Sequence, residues 1–122
     1  MKLTADSVQG NVVRSYAPGE IRLANTTLRS HVIISRDTVI ADWKPSPLEQ
    51  LSIADFAPAL ELKPEILLFG TGKAQRFLPI AVLTELLHAG IAVEVMETGA
   101  ACRTFNVLIG EHRAAIAALL VE

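Results

Sequence analysis

EILLFGTGKAQRFLPIAVLTELLHAGIAVEV, residues 65–95, decides the fold. Ile66-Leu67-Leu68-Phe69 is a continuous apolar run, the pattern of a strand covered on both faces. Gly70-Thr71-Gly72-Lys73 follows as a turn. Pro79 stands where a helix begins, because its missing N–H is harmless in a first turn. Ile80, Leu83, Leu86 and Leu87 make one apolar stripe with helical spacing. Gly90 closes that helix as a left-handed cap, with His88 in the last turn. Ile91-Ala92-Val93-Glu94-Val95 is a second strand. Strand, helix and strand this close together predict a right-handed βαβ crossover with parallel strands.

Working outward toward the C-terminus, a further helix starts with Thr98 as its cap. Ala101, Phe105 and Leu108 lie on one stripe, Cys102 and Ile109 beside it, and Arg103 and Asn106 on the flank; Gly110 ends it. The tail from Ala114 to Val121 reads two ways. Its alanines favour helix, while its shortness and lack of a polar face fit a buried strand.

On the N-terminal side the first forty residues read as β-structure. Val12-Val13-Arg14-Ser15-Tyr16 is β-rich, Ala17-Pro18-Gly19-Glu20 is a turn, and Ile21, Leu23 and Asn25 alternate with Arg22 and Ala24. His31 to Ser35 and Thr38 to Ala41 flank Arg36-Asp37 as a hairpin. Trp43-Lys44-Pro45-Ser46-Pro47 is a loop, its tryptophan either a partner-facing anchor or a cover for the core edge. A cap at Ser52 would put Pro58 inside a helix. The preferred start is therefore Ala54 or Asp55, with a short helix ending near Leu60 and Asp55 as a cap rather than a catalytic acid.

A chain of 122 residues reads as a single α/β domain spanning 1–122. The hydrophobic fraction is 51% and only 20% of residues are charged, a balance that points to an interface beyond the core. No apolar run approaches the roughly 18 residues of a membrane-spanning helix. MKLTADSVQG lacks the apolar stretch of a secretory signal. The expectation is a cytoplasmic protein with no direct membrane insertion. Net charge is −2 with no basic cluster, which argues against a nucleic-acid partner. The single Cys102 excludes an internal disulfide. His31, His88 and His112 show no metal-ligand spacing, so neither a metal nor a cofactor is expected.

Gly70-Thr71-Gly72-Lys73 is not a nucleotide loop. A Walker loop spaces its glycines wider and follows its lysine with Ser or Thr, where this chain has Ala74; G-x-G-x-x-G fails at Gln75. Ligands nevertheless favour the carboxyl ends of parallel strands. Thr71-Gly72-Lys73 and Thr98-Gly99-Ala100 both follow such ends. Lys73, Arg76 and Arg103 converging there would hold a carboxylate, a small phosphate or an acidic side chain of another protein. The plainer reading makes the glycines a turn, leaves Lys73 in solvent and pairs Arg103 with Glu97. Cys102 lies where a helix dipole lowers a thiol pKa, but also at the edge of an apolar stripe. No acid–base pair or activated nucleophile is visible, so the reading leans away from an enzyme.

GTGKAQRFLP (70–79) and GIAVEVMETGAACRTFNVLIGEHR (90–113) closely resemble a small domain family of unknown biochemical function. That family includes the third assembly factor of mitochondrial respiratory complex I and the adipogenesis-associated domain proteins. The resemblance runs the whole chain, with Tyr16 to Ile21 and His31 to Ile34 similar to its opening strands. Phe105 stands where its members often carry tyrosine. The resemblance implies a three-layer α/β fold: a mixed central sheet with helices, a final antiparallel strand formed by Ala114 to Val121, and an extra N-terminal β-layer. It implies a non-enzymatic assembly or adaptor role with a protein partner, a membrane-complex subunit. Its family-pattern positions are Gly70, Thr71, Gly72, Lys73, Gln75, Arg76, Thr98, Gly99, Cys102, Arg103 and Asn106. The alternative is a small-anion binder or enzyme using the strand-end pocket.

Overall fold

The computed structural model describes residues 10–122, so the reading of the opening segment lies outside the described residues except for Gly10. The strands are β1 (Ser15–Ala17), β2 (Glu20–Arg22), β3 (Thr27–Leu28), β4 (Val32–Ile34), β5 (Val39–Ile40), β6 (Ile66–Gly70), β7 (Ala92–Met96) and β8 (Ala115–Leu119). The helices are α1 (Ala57–Leu60), α2 (Ile80–His88) and α3 (Thr98–Gly110). They build a small sheet of order β1-β2-β3 and a central sheet of order β5-β4-β8-β6-β7.

The βαβ unit forms as the sequence predicts. β6 and β7 pair in parallel, from Ile66 opposite Ala92 to Gly70 opposite Met96, with α2 between them in the chain. Side chains alternate between faces along each strand. Leu67, Phe69, Ile116 and Ala118 face Val82 and Leu86 of α2. Leu68, Ala115, Ala117 and Leu119 face Ala101, Cys102, Phe105 and Ile109 of α3. The small sheet adds Ile21 and Leu23 to the α3 side of the core, which is the expected N-terminal β-layer.

β8 settles the two-way tail. It is a strand buried along its whole length, because a central position between two helical layers outweighs alanine's helix preference. The expected antiparallel orientation holds only against β4, with Ile33 opposite Ala118. Against β6 the strand is parallel, Ile66 opposite Ala115, and that part of the expectation is corrected. The reason is α3. Its 13 residues carry the chain back along the sheet, so β8 starts at the same end as β6 and β7. The chain moves outward from β6 to β7 over one face and back to β8 over the other, as right-handed crossovers require.

Two local expectations also change. The apolar stripe of α2 is offset: Leu78, Val82 and Leu86 are buried, while Ile80 and Leu87 are 77% and 55% exposed. With Pro79 as the cap, the positions facing the sheet recur every four residues from Leu78. Between Ser52 and Leu60 there are two pieces rather than one helix. Ile53–Phe56 is a 3-10 turn, started by the Ser52 N–H donating to the Asp55 carboxylate at 2.9 Å. α1 begins only at Ala57, which leaves Pro58 in a first turn without cost. Trp43 covers the core. It is buried against Phe56 and Phe69, and its Nε1 donates to the Asp55 backbone oxygen at 2.9 Å.

Candidate functional site

The carboxyl ends of β6, β7 and β8 meet at Gly70-Thr71-Gly72, Glu97-Thr98 and Leu120. In an open parallel sheet this is where a ligand crevice lies. Here the crevice is filled by the protein itself. Thr71 and Thr98 are the buried polar residues among those described. The Thr98 hydroxyl donates to the Leu120 backbone oxygen at 2.7 Å and accepts the Gly72 N–H at 2.8 Å. The Thr98 N–H donates to the Gly72 oxygen, and the Thr71 N–H to the Met96 oxygen. The Thr71 hydroxyl donates to the Ala74 oxygen at 2.7 Å and accepts the Arg76 N–H at 3.1 Å.

The glycines make this closure possible. A Cβ on Gly70 would lie 2.8 Å from Thr98 Oγ1, and Gly72 has a φ of +96°. Thr98 is therefore not the helix cap that the sequence suggested. Glu97 takes that role, its carboxylate accepting the Gly99 N–H at 2.8 Å. Both threonine hydroxyls donate to backbone carbonyls, so neither is a free nucleophile. Among the described residues, no buried side-chain polar atom lacks a partner.

The predicted cations divide between two clefts. Lys73 and Arg76 line a cleft of about 390 Å³ with Thr71, Ala74 and Glu122. There Arg76 pairs with Glu122 at 3.3 Å, and Lys73 is exposed. Gln75 sits beside them, its amide donating to the Val95 oxygen at 3.2 Å. Arg103 belongs to a second cleft of about 230 Å³, with Gly99, Cys102 and Asn106 from α3 and Arg14, Ser15 and Tyr16 from the small sheet. It lies 3.6 Å from Glu97, the local pairing of the plainer reading.

Cys102 is buried, and burial pushes its thiol up to about 12, with Glu97 adding to the rise and Arg103 opposing it. Desolvation outweighs any help from the helix dipole. The Tyr16 hydroxyl is also raised, first by burial and then by the nearby Glu97, Cys102 and Glu122. It donates to the Glu122 backbone oxygen at 2.8 Å. Sequence reasoning missed the parts played by Tyr16, Arg14, His31 and Glu122. His31 Nδ1 accepts the Val121 N–H at 2.9 Å. Tyr16 meets Glu122 across 106 residues, His31 meets Val121 across 90 and Glu122 meets Arg76 across 46, so no local pattern announces them. Among the described residues no group of three or more His, Cys, Asp or Glu could hold a metal ion, and no helix is long and apolar enough to cross a membrane.

Residues 13–120 match the family model described as "Protein of unknown function (DUF498/DUF598)". The chain belongs to this family. A zebrafish relative (Danio rerio) named NADH dehydrogenase (ubiquinone) 1 alpha subcomplex assembly factor 3 is 34% identical over 91% of the chain. That match spans 64% of the relative's own length. A "13 kDa major membrane protein" of Francisella tularensis is 28% identical over 93% of the chain and 94% of its own length. The NMR structure of a Xanthomonas campestris protein superposes with a TM-score of 0.83 at 31% identity, covering 99% of this chain and 92% of that one. The mixed α/β architecture of the family is thus the architecture of this chain.

Proposed function

We propose that this chain is a non-enzymatic adaptor of the assembly-factor type, acting in the cytoplasm on a subunit of a membrane complex. The observation that carries this reading is the similarity, across 91% of the chain, to a protein named as an assembly factor of NADH dehydrogenase. Two features of the molecule support it. At the strand ends the hydroxyls of Thr71 and Thr98 are both committed to backbone carbonyls, so neither is held as a nucleophile beside the cleft that Lys73 and Arg76 line. Meanwhile Phe77, just before α2, is 83% exposed, and Ile80 and Leu87 stand 77% and 55% exposed on α2, where a helix face normally carries polar residues. An adaptor uses such apolar surface to bind a partner.

The test is affinity capture of the tagged chain from gently solubilised source cells, with every membrane-complex subunit quantified by mass spectrometry. Wild type runs beside Ile80→Asp and beside a Lys73→Ala/Arg76→Ala double variant. The expected result is enrichment of the subunits of one complex by wild type and by the double variant, and a loss of about tenfold or more with Ile80→Asp. Absence of any enriched complex with wild type defeats the adaptor reading. Loss only in the lysine–arginine variant would instead favour the anion cleft beside Glu122.

A further inference from the structure

We propose that the cleft between β1 and α3 is a carboxylate-binding site, with Arg14 and Arg103 as its two recognition groups. β1 is an edge of the small sheet. Next to it, at Val13, the backbone is occupied from α3: Asn106 accepts the Val13 N–H at 2.9 Å and donates to the Val13 oxygen at 2.8 Å. A side-chain amide thus does what a neighbouring strand's peptide would do. Past Val13 this contact ends and the cleft of about 230 Å³ opens, with Ser15 on one wall and Gly99 on the other.

The charge in this cleft is positive. Arg14 makes no ion pair among the described residues. Arg103 is 74% exposed and held only by Glu97 at 3.6 Å, a surface contact of little worth. Glu97 is itself tied to the Gly99 N–H at the start of α3, so it is anchored to the helix rather than free to fill the cleft. Guanidinium groups present forks of donors that match a carboxylate in geometry as well as charge. Val13 and the buried Cys102 also line the cleft. The volume is below that of drug-sized sites, which begin near roughly 300 Å³. The ligand it suits is a carboxylate on a short hydrocarbon stem.

Two sources supply that chemistry: an acidic side chain of the protein partner, which rests on the adaptor reading, and a free dicarboxylic acid, which does not. Amide NMR of the full ¹⁵N-labelled chain separates them. Sodium succinate and a hexaglutamate peptide are titrated separately at constant ionic strength. The same is done for Arg14→Gln, Arg103→Gln and, as a control in the other cleft, Lys73→Gln. The expected result is saturable shifts at Ser15, Gly99 and Arg103. Both arginine variants should bind about tenfold more weakly, and Lys73→Gln should match wild type. Tighter binding of the peptide assigns the site to a protein's acidic side chain; tighter binding of succinate assigns it to a free acid. Arg103→Lys keeps the charge without the fork and should bind between wild type and Arg103→Gln. No saturable shift with either probe, or arginine variants that titrate as wild type does, overturns the proposal.

Discussion

Residues 70–76 and residues 77–87 are consecutive stretches with opposite outcomes. The first has the composition of a site, with glycines, threonine and two cations at the end of a parallel strand. Its inner half is structural: Thr71 is 1% exposed, and Gly72 donates to the buried Thr98 hydroxyl. The second has the composition of a core helix, yet Phe77, Ile80 and Leu87 face outward. The difference lies in direction. A threonine that turns inward satisfies backbone groups that water cannot reach, and its loss leaves them unpaired. A leucine that turns outward contributes almost nothing to folding and remains available to another surface.

The comparison can be broken or sharpened in three ways, the largest effect first. Cys102 belongs with the inward-turned residues. At neutral pH its folded-state alkylation by iodoacetamide should be slower than that of the unfolded chain by about tenfold or more, because the rise of its pKa from 9.0 to about 12 depletes the thiolate by more than the greater nucleophilicity of a more basic thiolate restores, and burial shields the sulfur besides. The same shift has a sign in stability. Burial favours the neutral thiol, so its contribution is fully present below about pH 9 and lost as pH rises toward 12. Rapid alkylation of the native protein would place Cys102 with the functional surface instead. Next come two neighbours on α2. Leu86→Ala, at 0% exposed, should cost about 3 kcal/mol in urea denaturation, while Leu87→Ala should stay within about 0.5 kcal/mol. Equal costs would mean that α2 is rotated from the orientation described.

The smallest effect concerns Asp55. Partial burial disfavours its charge. The N–H groups and hydroxyls of Ser52 and Ser46 more than offset this and hold its carboxyl below the ordinary value. Asp55→Ala should cost about 1 kcal/mol near neutral pH. The difference from wild type should shrink as pH falls through the lowered pKa, because the native carboxylate then takes up its proton. A pH-independent difference would show that the cap does not depend on charge.

Much of the fold was legible because periodicity and turn residues act locally. Ile66 to Phe69, Pro79, Gly90 and the Arg36-Asp37 hairpin each mark an element without help from distant residues. The orientation of β8 was not legible. Its direction depends on how far α3 carries the chain, and its alanines argue locally for helix. The stripe of α2 failed for a related reason: Leu, Ile and Val occupy so many positions of residues 78–87 that spacing alone allows more than one apolar face. For the candidate site, residue types were identified but not their grouping. Arg103 and Arg76 looked like neighbours, and only the packing of β1 on α3 shows that Arg103 shares its cleft with Arg14. Glu122 reaches Arg76 across 46 residues, a pairing that no motif encodes.

The most direct test of the central contrast is a side-by-side urea denaturation of Thr98→Val and Lys73→Ala. Valine keeps the shape of threonine but leaves the Gly72 N–H and the Leu120 oxygen unpaired in a buried place. The predicted result is a loss of about 3 kcal/mol for Thr98→Val and a change within about 0.5 kcal/mol for Lys73→Ala. A Thr98→Val protein as stable as wild type would contradict the account, since the strand-end threonine would then be kept for something other than closing the fold.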